Sequence, residues 1–323
     1  MIIDTPGFRR VSHKRPCEIC GHADWCTYTE ALAFCMRISV GSFRTAGNGA
    51  HMHRTGVQHL EALVHRSASR DGQPRASGKQ LDRVYGALLT TLSLSQSHKR
   101  DLRRRGLDNE AIENRSYRSA PTPSQGHSIA TQLESLGLDG IPGFYKAGGR
   151  CCLIGMQPGI LIPILNIRGQ ICGIQLRRDN YSNHGKYVWV SSAKRNYGTS
   201  SGAPLHWSRP KLLASASEVL LTEGALKADV ISYFLSVPII AAAGVGLFGR
   251  EFGAKLKTNY PNITAVIGID SDWRTKPQVK AALMALQRQL TAAGLTWKMR
   301  LWSSQHKGYD DYLLAEFSNG LAA

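Results

Sequence analysis

Residues 217–311 hold two short apolar runs that end on acid, a pattern few folds accommodate. SEVLLTEGALKADVI puts Glu223 at the end of the first run, and NITAVIGIDSD puts Asp270 and Asp272 at the end of the second. A short apolar run bounded by turn residues reads as a strand buried on both faces, as in a parallel sheet. Such runs alternate with helical stretches: EVLLTEG with ALKADVISYFL, VPIIAAAG with FGREFGAKLKTNY, TAVIGIDSD with QVKAALMALQRQLTAAG, and WKMRLWSS with KGYDDYLLAEF. This alternation predicts a compact parallel α/β module. Its strand carboxyl ends share one edge, where α/β folds place chemistry. Carboxylates gathered there repel one another unless a cation sits among them, and oxygen-only ligands suit Mg²⁺ or Mn²⁺.

The remainder of the chain is basic. Of a net charge of +17, little lies in this module: residues 217–323 carry 11 Lys/Arg against 9 Asp/Glu. Residues 1–118 carry 19 against 11, and residues 119–216 carry 10 against 3. That excess suits a polyanion, nucleic acid before a membrane surface. No run of eighteen apolar residues is present, and MIIDTPGFRR lacks the pattern of a signal peptide, so a cytoplasmic location is expected.

Four of the seven cysteines fall in CEICGHADWCTYTEALAFC. Cys17 and Cys20 have the two-residue gap of a zinc knuckle, and Cys26 and Cys35 supply the other corners of a tetrahedron. So short a segment has little apolar core, which makes a structural Zn²⁺ its expected folding agent; an iron–sulfur cluster is the rival reading. Arg15, Trp25 and Arg37 flank the site, a surface suited to nucleic acid. His51 and His53 read as loop residues. Residues 66–78 and 120–126 read as polar linkers. Between them, LDRVYGALLTTLSL and SHKRDLRRRGLDNEAIENRSY have helical spacing, and Arg103, Arg104 and Arg105 form a basic cluster that is either a phosphate grip or a solvated face. GILIPILNIRGQICGIQLRRD predicts a hairpin turning at Arg168 and Gly169, with KYVWVSS as a third strand.

LLTEGALKADVI, AAAGVG, VIGIDSD and KGYDD together resemble a TOPRIM domain, the metal-binding module of primases, topoisomerases and some nucleases. Upstream, IPILNIRGQICGIQLRR and the Lys-Tyr pair resemble the core of bacterial replicative primases, and the chain is similar throughout to compact zinc–TOPRIM primase-like proteins of plasmids, phages and other mobile elements. The resemblance implies Glu223, Asp270 and Asp272 as the catalytic site and Asp310 and Asp311 as further Mg²⁺ or Mn²⁺ ligands. It also implies Arg177 and Lys186 as the grip on a nucleoside triphosphate. It departs in the close spacing of four cysteines and in lacking a Gly-rich Lys-Ser/Thr phosphate loop, so unwinding is expected to need a separate helicase or replication initiator.

The expected fold is therefore α/β: a zinc ribbon over 1–65, a linker with basic helices over 66–126, a β-rich subdomain over 127–216 and a TOPRIM domain over 217–323. The expected activity is template-directed primer synthesis from nucleoside triphosphates on single-stranded DNA. A TOPRIM nuclease and a non-catalytic, zinc-dependent replication accessory protein remain open alternatives.

Overall fold

The computed structural model describes residues 8–54 and 73–320, apart from 14, 30, 31, 40, 41, 182–184 and 319. Residues 66–72 of the expected first linker lie outside the described residues. The chain divides into two compact units, residues 1–70 and 71–323.

The first unit is a five-stranded antiparallel sheet of very short strands, ordered β1-β2-β3-β5-β4. These are β1 (Arg9–Arg10), β2 (Thr27–Tyr28), β3 (Leu32–Cys35), β4 (Arg44–Thr45) and β5 (His51–Arg54). Its buried cluster consists of Val11, Cys17, Cys26 and Cys35, with Ile19, Cys20, Tyr28 and Ile38 packed against it. Beside Val11 and the cysteines, the buried apolar side chains described in this unit are Ala33, Phe34 and Ala50, too little apolar surface to hold a fold alone. His51 and His53 lie on β5 instead of a loop, and His53 is buried with Nε2 2.7 Å from the Ile38 carbonyl oxygen.

In the second unit, β9 (Gly159–Leu165) and β10 (Ile171–Arg178) form the expected hairpin, with Gly169 at φ 75° in its turn. With β6 (Arg118–Ser119) and β11 (Tyr187–Trp189) they make a sheet ordered β11-β10-β9-β6. Alternation along β9 explains its unbroken apolar sequence. Leu161 faces a core with Leu81, Tyr85 and Leu88 of α1 (Gly78–Thr90) and Ile129 of α4 (Pro123–Leu133). Ile160, Ile162 and Ile164 face Leu102 of α2 (Gln96–Arg104) and Ile112 of α3 (Asn109–Asn114). Both faces are buried, so every residue must be apolar.

The region read as linker is thus built into this unit. Tyr85 and Leu88 have no exposed surface, and at roughly 1.5–3 kcal/mol per large buried side chain the helices contribute directly to stability. The second expected linker also shortens: Pro123 is the first residue of α4, and Gln125 Oε1 accepts the Thr122 N–H at 2.8 Å, a helix-start signature within residues 120–126. Within IPGFYKAGG, β7 (Phe144–Ala147) pairs with β8 (Arg150–Leu153). His98 on α2 binds Ser119 at 2.7 Å and Asp179 at 3.0 Å, tying that helix to β6 and the end of β10.

The remainder is the expected parallel module: β13 (Glu218–Glu223), β14 (Ile239–Ala242), β15 (Thr264–Ile267) and β16 (Trp297–Met299). An antiparallel strand, β12 (His206–Ser208), adds to its edge, giving the order β12-β14-β13-β15-β16. Val219 and Leu221 pack towards α6 (Phe252–Asn259) and α7 (Pro277–Ala292), whereas Leu220 packs towards α5 (Ala225–Leu235) and α8 (Tyr309–Ser318). The chain leaves β13 towards β14 on one side and returns to β15 on the other. The gap between the ends of β13 and β15 is therefore the topological switch point, where such sheets bind ligands.

A buried polar network joins this module to the β9–β10 sheet. Asp229 on α5 accepts bonds from His206 Nε2 at 3.1 Å, Ser208 at 2.7 Å and Tyr117 at 2.6 Å, and pairs with Arg115 at 3.2 Å. The Leu165 N–H donates to His206 Nδ1 at 3.2 Å, which places the imidazole proton on Nε2, facing Asp229. Burial would raise the Asp229 carboxyl, but His206, Arg115 and Tyr117 outweigh it and hold it well below the usual carboxylate range. Asp229→Ala leaves a buried guanidinium unpaired and is expected to cost about 3–5 kcal/mol in denaturant unfolding. The depressed carboxyl adds stability that is intact above its unfolded value, near pH 4, and is lost as pH falls below it. The variant should therefore show a flatter acid limb of stability against pH.

Candidate functional site

Glu223 ends β13, and Gly224 at φ 81° turns the chain into α5, so that Lys227 emerges on that helix's first turn. Asp270 follows β15 across the switch point, and a short helical turn over Ser271–Arg274 carries Asp272. Asp310 enters from the start of α8. The fold thus brings three of the expected acidic residues around one ammonium. Lys227 Nζ bonds Asp270 Oδ1 and lies 4.0 Å from Asp310 Oδ1. Gly308 makes this approach possible, since a Cβ there would meet Asp310 Oδ1 and come within 3.2 Å of Lys227 Nζ.

Electrostatics at this edge are unbalanced. Glu223 Oε1 and Asp310 Oδ1 are buried without a hydrogen-bond partner among the described residues. Burial raises the Glu223 carboxyl, and the Asp270 charge pushes it the same way. Burial also raises Asp310; Lys227 opposes the shift and Asp311 adds to it. Burial would lower the Lys227 ammonium, but Asp310 and Asp270 outweigh it and keep the group charged. Asp272 is paired with Lys276 at 2.7 Å, and Asp270 has a second cation, Lys307, at 3.8 Å. Oxygen ligands with orphaned acceptors fit a hard divalent cation. Among the described residues these carboxylates do not close on a point as the four cysteines do, and Lys227 stands between Asp270 and Asp310.

Asp311 takes a different place. Its Oδ2 accepts the Gly308 N–H at 3.3 Å, bracing the start of α8. With Asp310 it lines a cavity of 240 Å³ whose other wall is Asp101, Arg104 and Arg105. Acid and base therefore meet across one space. Arg177, expected to hold phosphate, is bonded to Asp101 at 2.6 Å, and Arg105 lies 3.8 Å from the same oxygen. Arg104 is exposed, and Arg103 is held by Asn109 at 2.6 Å. Lys186 lies 5.4 Å over the Tyr181 ring, and no ion pair joins it to the carboxylates among the described residues. A larger apolar cavity of 620 Å³ lies against β12 and α6, lined by Trp207, Phe252 and Tyr260, and holds none of these groups.

In the first unit the sulfurs of Cys17, Cys20, Cys26 and Cys35 all lie within 4.8 Å of one another. Tetrahedral zinc with bonds of about 2.3 Å separates its sulfurs by roughly 3.8 Å. Cys20 and Cys26 are 3.8 Å apart. Backbone N–H groups of Met36, Arg37 and Ile38 point at Cys26 and Cys35 sulfurs at 3.3–3.4 Å, as they do around thiolates. The set fits one structural zinc ion. Nearby, Trp25 is 79% exposed, Arg15 stacks on Tyr28 at 4.2 Å, and Arg37 is held by Asp24 at 2.8 Å.

No protein-family model and no curated protein sequence matches the chain. Solved structures do. The zinc-binding and RNA polymerase domains of the Aquifex aeolicus primase superpose with a TM-score of 0.58 at 15% identity, over 81% of this chain and 64% of that one. The RNA polymerase domain of Mycobacterium tuberculosis primase DnaG gives 0.57 at 14%, covering 74% and 82%. A DnaG primase catalytic domain bound to single-stranded DNA gives 0.53 at 17%, covering 74% and 75%. The shared feature is the fold.

Lys227 and Asp101 were not singled out in the sequence, although each has a signal. Lys227 follows Glu223 by four residues in TEGALK, one helical turn past the strand end. Asp101 is the one acid within KRDLRRR. For the first unit, removing zinc is expected to unfold residues 8–54 while leaving residues 73–320 folded. Limited proteolysis after chelation, together with metal analysis, tests this. Cys35→Ser should lower bound zinc from one per chain to none.

Proposed function

We propose that the chain is a primase-like nucleotidyltransferase that makes short primers from nucleoside triphosphates on single-stranded DNA. The observation that carries this reading is the convergence of Asp270 and Asp310 on Lys227, with Glu223 also acting on that ammonium, at the switch point of a primase-like fold, while Asp310 and Asp311 face Arg104 and Arg105 across a cavity. In this reading residues 217–323 are a TOPRIM domain, residues 127–216 its β-rich companion and residues 1–65 a zinc ribbon that holds template through Arg15, Trp25 and Arg37. Stacking on an exposed aromatic and cationic contacts to phosphate suit single strands of any sequence. In this reading the chain resembles primase-like proteins carried by mobile elements and works with a helicase or initiator. No helix of the described residues is long and apolar enough to cross a membrane.

Glu223, Asp270 and Asp272, with Asp310, would hold Mg²⁺ or Mn²⁺. An ion held there would offset charge on the triphosphate and lower the pKa of the attacking hydroxyl. This chain's own residues do the positioning. Asp101, on one wall, holds Arg105 and also Arg177, and a triphosphate competing for those guanidiniums would gain planar, bidentate contacts. Arg104, exposed beside them, is placed for a neighbouring phosphate, and Lys186 is the remaining candidate cation.

Asp270→Asn or Asp272→Asn should lower primer synthesis by about 10²–10³-fold, equivalent to several kcal/mol of transition-state stabilisation. The assay is Mg²⁺-dependent extension of labelled nucleotides on single-stranded DNA. Undiminished synthesis by either variant refutes the assignment, and a shortened template without new RNA replaces it with a nuclease. Arg104→Ala should weaken DNA binding uniformly across sequences and reduce the slope of log affinity against log salt by about 1.

A further inference from the structure

The buried ammonium in the carboxylate cluster differs from the other lysines around it. Lys276 and Lys307 are 51% and 68% exposed and are free to swing into solvent, whereas Lys227 is 17% exposed. It rises from the first turn of α5, behind Gly308, and that helix is pinned two residues further on by Asp229 in its network with Arg115, Tyr117 and His206. Its position is therefore set by the fold.

We propose that Lys227 is a built-in cation that occupies one of two cation positions in this cluster, so that the site takes a single divalent ion. The proposal rests on the metal-site reading given above. Two-ion centres hold their ions roughly 3.5–4 Å apart, shared between carboxylates. Lys227 Nζ, bonded to Asp270 and 4.0 Å from Asp310, already spans those two carboxylates as a second ion would. Charge points the same way. Glu223, Asp270 and Asp310 act on Lys227, and Lys307 stands 3.8 Å from Asp270 as a second cation, so the negative charge left over is far less than two divalent ions would neutralise. Asp272 is matched separately by Lys276. An ammonium cannot polarise a bound hydroxyl as a divalent ion does, but it donates hydrogen bonds and places positive charge beside a phosphate oxygen. The ion itself falls to Glu223, whose Oε1 has no hydrogen-bond partner among the described residues, with Asp270 and Asp272.

The test is Mn²⁺ binding to the full-length, zinc-loaded protein, counted by electron paramagnetic resonance of the free ion and by calorimetry. Wild type is expected to bind one Mn²⁺, Lys227→Arg one and Lys227→Met two, with Mn²⁺ raising the Tm of Lys227→Met more than that of wild type. Two ions in wild type, or one in a folded Lys227→Met, overturn the proposal and leave the metal-site reading standing. No Mn²⁺ on wild type or on either variant overturns both. Should Lys227→Met not fold, Lys227→Gln takes its place under the same criteria.

Discussion

Helix α5 carries two buried charges of opposite sign, Lys227 and Asp229, two residues apart. At about 100° per residue, positions i and i+2 point to nearly opposite sides of a helix. Asp229 faces Arg115, Tyr117 and His206, which come from the elements around the β9–β10 sheet and from β12. Lys227 faces the carboxylates at the ends of β13 and β15. One helix thus registers the β-rich part against the parallel sheet and supplies the cation at the sheet's edge. Burying either charge without its partners costs several kcal/mol, so each fixes the rotation of α5 about its axis.

This coupling explains how an acidic edge persists in a chain of net charge +17. The cations near the carboxylates are tied to them individually: Lys227 to Asp270, Lys276 to Asp272, Lys307 to Asp270. Across the 240 Å³ cavity from Asp310 and Asp311 the arrangement is inverted, with Asp101 the single acid beside Arg104 and Arg105 and bonded also to Arg177. Each side holds a minority charge of the other's sign.

The sheets were legible because burial on two faces forces unbroken apolar runs. GILIPIL, EVLLTE and TAVI each read as strands, and each splits its residues between two cores. The site's carboxylates were legible because they end those runs. Lys227 was less so: its place four residues after Glu223 is a signal, but within ALKADVISYFL it reads as a routine polar position on a helix, and only the fold turns it inward. β12 escaped notice because three residues, HWS, carry no period. The helices of residues 78–114 were seen, but their sequence does not say what they pack against. Tyr85 and Leu102 prove to be core residues of the second unit, reached only through long-range contacts.

Cysteine spacing shows the opposite case, in which local sequence suffices. Cys17, Cys20, Cys26 and Cys35 lie within nineteen residues, so loop closure is short and the chain itself enforces their proximity. The carboxylates are separated by tens of residues and meet only because a sheet aligns its strand ends. A thiolate cluster can therefore organise its own fold around a metal, whereas the acidic edge must be held by a fold that exists without one. Lys227 supplies a resident positive charge at that edge, and the sheet can assemble without a metal because the repulsion between Asp270 and Asp310 is offset by it.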